Sequence, residues 1–120
     1  MSSSPSVNLA VLDLVALDDL KDMLSDALGE IIQSFLDGLD GEVAAVGQGL
    51  DGDAAAVRAA AHSLKGSSGN LGAKALSQLA SDMEKHALAG DLAACRALMP
   101  DLAHGAALAR TALSAYISRP

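Results

Sequence analysis

Apolar residues recur at intervals of three and four along five segments of the chain, the spacing that places them on one face of an α-helix. The five segments run over about Leu14 to Leu24, Asp26 to Gly49, Ala54 to Leu71, Ala73 to Leu88 and Asp91 to Ser118. Short polar connections separate them, which favours antiparallel neighbours. We therefore expect an all-α protein, an antiparallel four-helix bundle with an additional short N-terminal helix.

Residues that start or stop helices lie between these segments. Ser25 or Asp26 can cap the second helix, and the stretch GLDGD at residues 49–53 supplies a stop, a turn and a new N-cap. Pro100 has no backbone N–H to donate, so it is expected to kink or split the last helix. These signals set the expected bounds of the helices.

The length and composition fit one helical domain. A chain of 120 residues is long enough for a single core, and its only aromatic residues are Phe35 and Tyr116, which leaves little material for a sheet. Residues 1–7 are rich in serine and are expected to form a disordered lead. Residues 8–120 are then expected to form the domain.

Charge and hydropathy bear on partners and location. The formal net charge is −7, which opposes attraction to nucleic acid or to an anionic membrane. No apolar run approaches the ~18 residues of a membrane span, and no signal peptide is evident. The single cysteine, Cys95, cannot form an internal disulfide and is interpreted as a small core residue. We expect a cytoplasmic protein with no direct membrane contact.

The stretch AAHSLKGSSGNLGA at residues 60–73 places three glycines around one histidine within a helical pattern. A glycine in a helix interior costs about 1 kcal/mol relative to alanine, so the three suggest that something approaches this helix closely. A helical wheel divides the segment into two faces. The predicted core stripe contains Val57, Ala61, Leu64, Ser68, Leu71 and Ala75. The predicted outer flank contains Arg58, His62, Lys65, Gly66, Gly69 and Ala73.

The outer flank carries the candidate chemistry. His62 is predicted to be exposed, with Lys65 about one turn away. A histidine side chain titrates near pH 6.5 when unperturbed, so its neutral ring offers a nitrogen that can attack phosphorus. A lysine cation at this distance can hold the phosphoryl oxygens, and phosphoryl transfer depends mainly on positioning and charge neutralisation. His62 is the candidate phosphoacceptor and Lys65 the candidate stabilising residue.

The motif HSLKGSSGNLGA, residues 62–73, resembles the histidine-containing phosphotransfer (HPt) domains of multistep two-component phosphorelays. It matches the family pattern of histidine, two residues, Lys-Gly, two small residues and a later Leu-Gly-Ala. The resemblance extends over most of the chain from about Leu14 onward. It implies a phosphocarrier that is phosphorylated on His62, with Lys65 contacting the phosphoryl group. The sequence has no ATP-binding signature, so we expect no kinase activity of its own.

The resemblance also implies the partners. These are receiver domains of response regulators and a hybrid sensor histidine kinase, with the receiver supplying the phosphorylated aspartate and Mg²⁺. The chain itself is expected to bind no cofactor and no metal, and to be a monomer. Docking of the receiver is expected over Arg58, Ala59, Gly66, Gly69 and Ala73.

One alternative function stays open at this point. A helical adaptor would bind a receiver or another regulatory protein without transferring phosphate, and it would tolerate loss of His62. The other two histidines, His86 and His104, lack a lysine three residues on and are interpreted as surface or partly buried packing residues. The glycine-rich segment also lacks the order of residues in nucleotide-binding loops.

Overall fold

Helices account for the regular structure of residues 11–118, the part of the chain that the computed structural model describes. The predicted disordered lead, residues 1–7, lies outside these residues. A short 3₁₀ turn at Gly49–Asp51 separates the second and third helices. The helices are α1 at Leu14–Leu24, α2 at Ala27–Gln48, α3 at Ala54–Asn70, α4 at Lys74–Leu88 and α5 at Leu92–Ile117.

The four longer helices form the predicted bundle. Each of α2, α3 and α4 packs against the helix that follows it, and α5 returns to pack against α2. The most extensive of these interfaces lies between α3 and α4. The additional helix α1 packs on α2 and buries Leu17 completely. None of the helices in the described part of the chain is long and apolar enough to cross a membrane.

Aspartate side chains cap three of the helices. Asp13, Asp53 and Asp91 each accept a hydrogen bond, at 3.0 to 3.1 Å, from the backbone N–H three residues later. Asp53 confirms the N-cap predicted from GLDGD. The side-chain cap predicted for α2 is wrong, because neither Asp26 nor Ser25 makes it. Ser25 instead lies in the turn at φ +51°, where its carbonyl accepts a backbone hydrogen bond.

The core stripe predicted for α3 is confirmed over the length of that helix. Val57, Ala61 and Leu64 are fully buried, and so is Ser68. The Ser68 hydroxyl donates to the carbonyl of Leu64 at 2.6 Å, so burial leaves it satisfied. Leu71, just after the helix, is also buried as predicted, whereas Ala75 lies beyond the turn on α4 and is only half-buried.

The last helix is continuous through Pro100, so of the two predicted outcomes, a kink or a split, the split is wrong. A proline removes one hydrogen bond, the one to the carbonyl four residues earlier. Pro100 lies on an exposed face, where water can solvate that carbonyl. Cys95 and Leu102 are fully buried on either side of it and hold both halves of α5 in the core. The interpretation of Cys95 as a core residue is confirmed.

Gly72 joins three helices at one point. Its φ of +69° lies in the left-handed region, which ends α3 and turns the chain into α4. Its carbonyl accepts a 2.7 Å hydrogen bond from the backbone N–H of Asp13, at the start of α1. A Cβ at Gly72 would lie 3.1 Å from the Asp13 carbonyl oxygen and 3.2 Å from Leu17 Cγ. The close approach at this glycine therefore comes from within the chain.

We expect Gly72→Ala to lower the free energy of unfolding by more than Gly90→Ala does. Gly90 also has a positive φ, +74°, but a Cβ there would meet nothing within 4 Å. Gly90→Ala therefore incurs only the backbone strain, about 1–2 kcal/mol, whereas Gly72→Ala adds a crowding cost of about 1–3 kcal/mol. Urea denaturation of both variants measures the difference. Equal decreases in the free energy of unfolding would show that α1 can shift away from residue 72 at no measurable cost.

Candidate functional site

Three polar side chains meet where α3 packs against α4. His62 and Lys65 lie about one turn apart on α3, and Glu84 reaches them from α4. The Nδ1 atom of His62 is 2.8 Å from Oε2 of Glu84, and Nζ of Lys65 is 3.0 Å from Oε1. One carboxylate thus binds both residues, each through a different oxygen.

The three side chains differ in exposure. The carboxylate is the most covered, with 17% of the Glu84 side chain exposed, compared with 39% for Lys65 and 68% for His62. The predicted exposure of His62 is confirmed. The cluster consequently places its anion against the helices and presents the imidazole to solvent.

The contact with Glu84 fixes the proton on the imidazole ring. An ionised carboxylate can only accept hydrogen bonds, so the ring nitrogen facing it must be the donor. In the neutral ring the proton therefore resides on Nδ1, and Nε2 carries the free lone pair. The arrangement selects one nucleophilic nitrogen.

Glu84 is held in its ionised form. The hydrogen bond from Lys65 is the largest effect that lowers the pKa of this carboxyl group below its usual value, and the hydrogen bond with His62 and the nearby charges act in the same direction. Burial opposes them but does not reverse the shift. Glu84 is therefore available as an acceptor at neutral pH.

Four of the five residues predicted to dock a partner lie on the exposed surface of α3. Arg58, Ala59, Gly66 and Gly69 are all exposed. A Cβ at Gly66 would meet nothing within 4 Å, so the surface one turn from His62 is open. The placement of Ala73 on this surface is wrong, because it is fully buried. The wheel fails there because α3 has already ended and the chain has turned.

Glu84 is the site residue that sequence reasoning missed. It lies 22 residues after His62, and only the antiparallel pairing of α3 with α4 brings the two together. A carboxylate on the following helix is a weak signal in the sequence alone. His86 and His104 are both exposed and lie outside this cluster, consistent with their interpretation as surface residues.

The chain matches known proteins over most of its length. The family model for the Hpt domain matches residues 30–117. The chain belongs to the Hpt domain family. The crystal structure of histidine-containing phosphotransfer protein B (HptB) from Pseudomonas aeruginosa PAO1 superposes on this Hpt domain with a TM-score of 0.86 at 28% sequence identity, covering 92% of this chain and 96% of that one. No curated protein sequence matches the chain significantly.

We expect the stability advantage of the wild-type protein over Glu84→Gln to shrink in acid. A carboxyl group whose pKa is lower in the folded state than in the unfolded state, where it is near 4.5, stabilises the fold above that value. The stabilisation is lost as the pH falls through the lowered folded pKa. Urea denaturation between neutral and acidic pH measures the difference.

The control for this comparison is Glu30→Gln, which removes an exposed carboxylate of α2 outside the cluster. It corrects for the change in net charge. A gap between the wild type and Glu84→Gln that stays constant with pH would show that His62 and Lys65 do not stabilise the Glu84 charge.

Proposed function

We propose that this Hpt domain carries a phosphoryl group on Nε2 of His62, accepting it from the phosphoaspartate of one receiver domain and delivering it to another. Hpt domains work in phosphorelays with receiver domains and histidine kinases. The observation that supports this assignment is the shared carboxylate of Glu84. It occupies Nδ1 of an exposed imidazole and holds the Lys65 ammonium beside it.

The transfer step follows from this arrangement. The Nε2 lone pair attacks the phosphorus atom, an N–P bond forms, and the O–P bond to the receiver's aspartate breaks, so that the aspartate leaves as a carboxylate. The ring keeps its proton on Nδ1 and becomes positively charged. Glu84 stabilises that charge because it already accepts from Nδ1 at 2.8 Å. Delivery to the next receiver reverses each bond change.

Lys65 balances the charge of the incoming group. Its ammonium contacts Glu84 at 3.0 Å in the resting protein, and its side chain is partly exposed. A lysine has three donors on a flexible stem, so it can turn towards phosphoryl oxygens that arrive at His62. During transfer the Lys65 ammonium therefore binds the phosphoryl oxygens, and the Glu84 carboxylate keeps its hydrogen bond with the imidazole.

In this proposal the divalent cation comes from the partner. The carboxylate beside His62 has both oxygens engaged, by His62 and Lys65, and is poorly placed to hold Mg²⁺ as well. The Mg²⁺ neutralises phosphoryl charge during transfer and is expected to belong to the receiver.

The sequence has no ATP-binding motif, so we expect no autophosphorylation. We also expect a cytoplasmic monomer, and any dimer would have to leave His62 free.

The receiver is proposed to dock over the exposed surface of α3 around His62. Arg58 and Ala59 lie on one side of the histidine along the helix, and Gly66 and Gly69 on the other. Three of these four residues are small, so the backbone of a partner can approach closely. A Cβ at Gly66 would meet nothing within 4 Å, whereas a Cβ at Gly69 would meet Ser77.

We expect His62→Gln to lose phosphotransfer completely and to keep receiver binding. Glutamine has no nucleophilic nitrogen, but it preserves a polar side chain on the same exposed surface. The measurement is incubation with a receiver charged by acetyl phosphate, followed by mass spectrometry of the acid-labile, base-stable phosphate. His104→Gln, which changes an exposed histidine outside the cluster, is the matched control and should transfer normally.

The same experiment separates the carrier from the adaptor. Receiver binding without label on His62 of the wild-type protein, across several charged receivers, would overturn the carrier proposal in favour of an adaptor. Label that remains in His62→Gln would assign the phosphoryl group to another residue. Incorporation from ATP alone would contradict the absence of kinase activity.

We expect Gly66→Gln to weaken receiver binding by at least about tenfold without loss of stability. The new side chain would project into open space, so the fold accommodates it, but it would obstruct a partner beside His62. Gly41→Gln is the matched control, because Gly41 is an exposed glycine of α2 whose Cβ would also meet nothing within 4 Å. Titration calorimetry measures both. Equal affinities for the two variants would place the docking surface elsewhere.

A further inference from the structure

Ser77 ties α4 directly to the main chain of α3 beside the His62 cluster. Its hydroxyl donates to the carbonyl oxygen of Lys65 at 3.1 Å. The side chain is partly buried at the interface between the two helices. The hydrogen bond therefore links α4 to the backbone of Lys65, whose side chain is part of the His62 cluster.

The spacing of residues places this bond on the faces that build the site. Ser77 and Glu84 are seven residues apart, which puts them two turns apart on one face of α4. Gly69 and His62 have the same separation on α3. The two faces run antiparallel, with Ser77 beside Lys65 and Gly69 at one end and Glu84 beside His62 at the other.

Gly69 provides the space that the Ser77 hydroxyl occupies. A Cβ at Gly69 would lie 3.1 Å from Ser77 Oγ and 3.8 Å from Ser77 Cβ. The first distance is tighter than ordinary contact, whereas the second is normal. A side chain at this position of α3 would thus push the hydroxyl away by a few tenths of an ångström and leave the rest of Ser77 in ordinary contact.

The Ser77 bond differs in kind from the other polar links between these two faces. The contacts of Glu84 with Lys65 and His62 run between side chains that rotate about several bonds and are partly exposed. Ser77 has one heavy-atom torsion and bonds a backbone oxygen, so it restrains the helix itself. It opposes sliding of α4 along α3, and the Glu84 carboxylate that lies 2.8 Å from Nδ1 is on the same face of α4.

We propose that Ser77 is a positioning residue for His62, holding α3 and α4 in the register at which Glu84 reaches Nδ1 and leaves Nε2 free. The consequence for phosphotransfer rests on the proposed function of His62. The consequence for the imidazole ring does not, and it can be measured on the unphosphorylated protein. The two parts of the proposal can therefore fail separately.

The decisive measurement is ¹⁵N NMR of the His62 ring at about pH 8.5, where histidine side chains are generally neutral. In the wild type we expect shifts that show the proton on Nδ1. In Ser77→Ala we expect the two nitrogen shifts to move towards each other, because both tautomers become populated. Ser77→Thr keeps the hydroxyl and should restore the wild-type shifts. Ser81→Ala, one turn further along the same face of α4, is the matched control and should change nothing.

The phosphotransfer rate should fall when the His62 ring loses its preference for the Nδ1 proton. We expect Ser77→Ala to slow transfer from a charged receiver by about tenfold, below the ~10²-fold that a 1 Å misplacement can cause. Receiver affinity should be unchanged, since the serine acts through His62. A wild-type protein that accepts no phosphoryl group would overturn the proposed function, while the NMR comparison would still decide the role of Ser77.

Gly69→Ala tests the same bond from the α3 side. Its Cβ should displace the Ser77 hydroxyl and shift the His62 ring as Ser77→Ala does, and adding it to Ser77→Ala should cause no further shift. Wild-type ring shifts in Ser77→Ala, whatever its melting temperature, would overturn the proposal. Additive effects of the two substitutions would overturn it as well, because they would show independent actions.

Discussion

The carboxylate of Glu84 is the interaction on which the site depends. Its two oxygens bind His62 and Lys65, which lie about one turn apart on α3, and it comes from a different helix. The packing of α3 against α4 is therefore part of the chemistry, since it brings the Glu84 carboxylate to 2.8 Å from His62 and 3.0 Å from Lys65. A sharing arrangement of this kind also keeps the resting site nearly neutral, with Lys65 balancing the carboxylate.

The three glycines after His62 serve three different purposes. Gly66 leaves open surface, Gly69 admits the hydroxyl of Ser77, and Gly72 adopts a left-handed turn that receives the start of α1. The sequence pattern correctly indicated close approach. For two of the three glycines, however, what approaches is another part of the same chain. The helix-propensity cost falls on Gly66 and Gly69, which lie within α3, and at Gly69 it accompanies the contact with Ser77.

Periodicity predicted the features that depend on a single helix. It placed Val57, Ala61 and Leu64 in the core and His62 at the surface, because one helical wheel determines all four. It failed where a helix ends or where two helices meet. Ala73 was misplaced because the wheel was extended through the turn at residue 72. The role of Glu84 depends on a pairing between helices that no local pattern encodes.

Exposure of His62 has a consequence for how the domain meets its partners. The described helices leave 68% of this side chain in contact with solvent, so a receiver can reach a phosphoryl group on it without movement of any of these helices. Because one imidazole nitrogen serves both transfers, the receiver that donates and the receiver that accepts need the same position. The two must therefore occupy this face of the domain in turn, with one leaving before the other arrives.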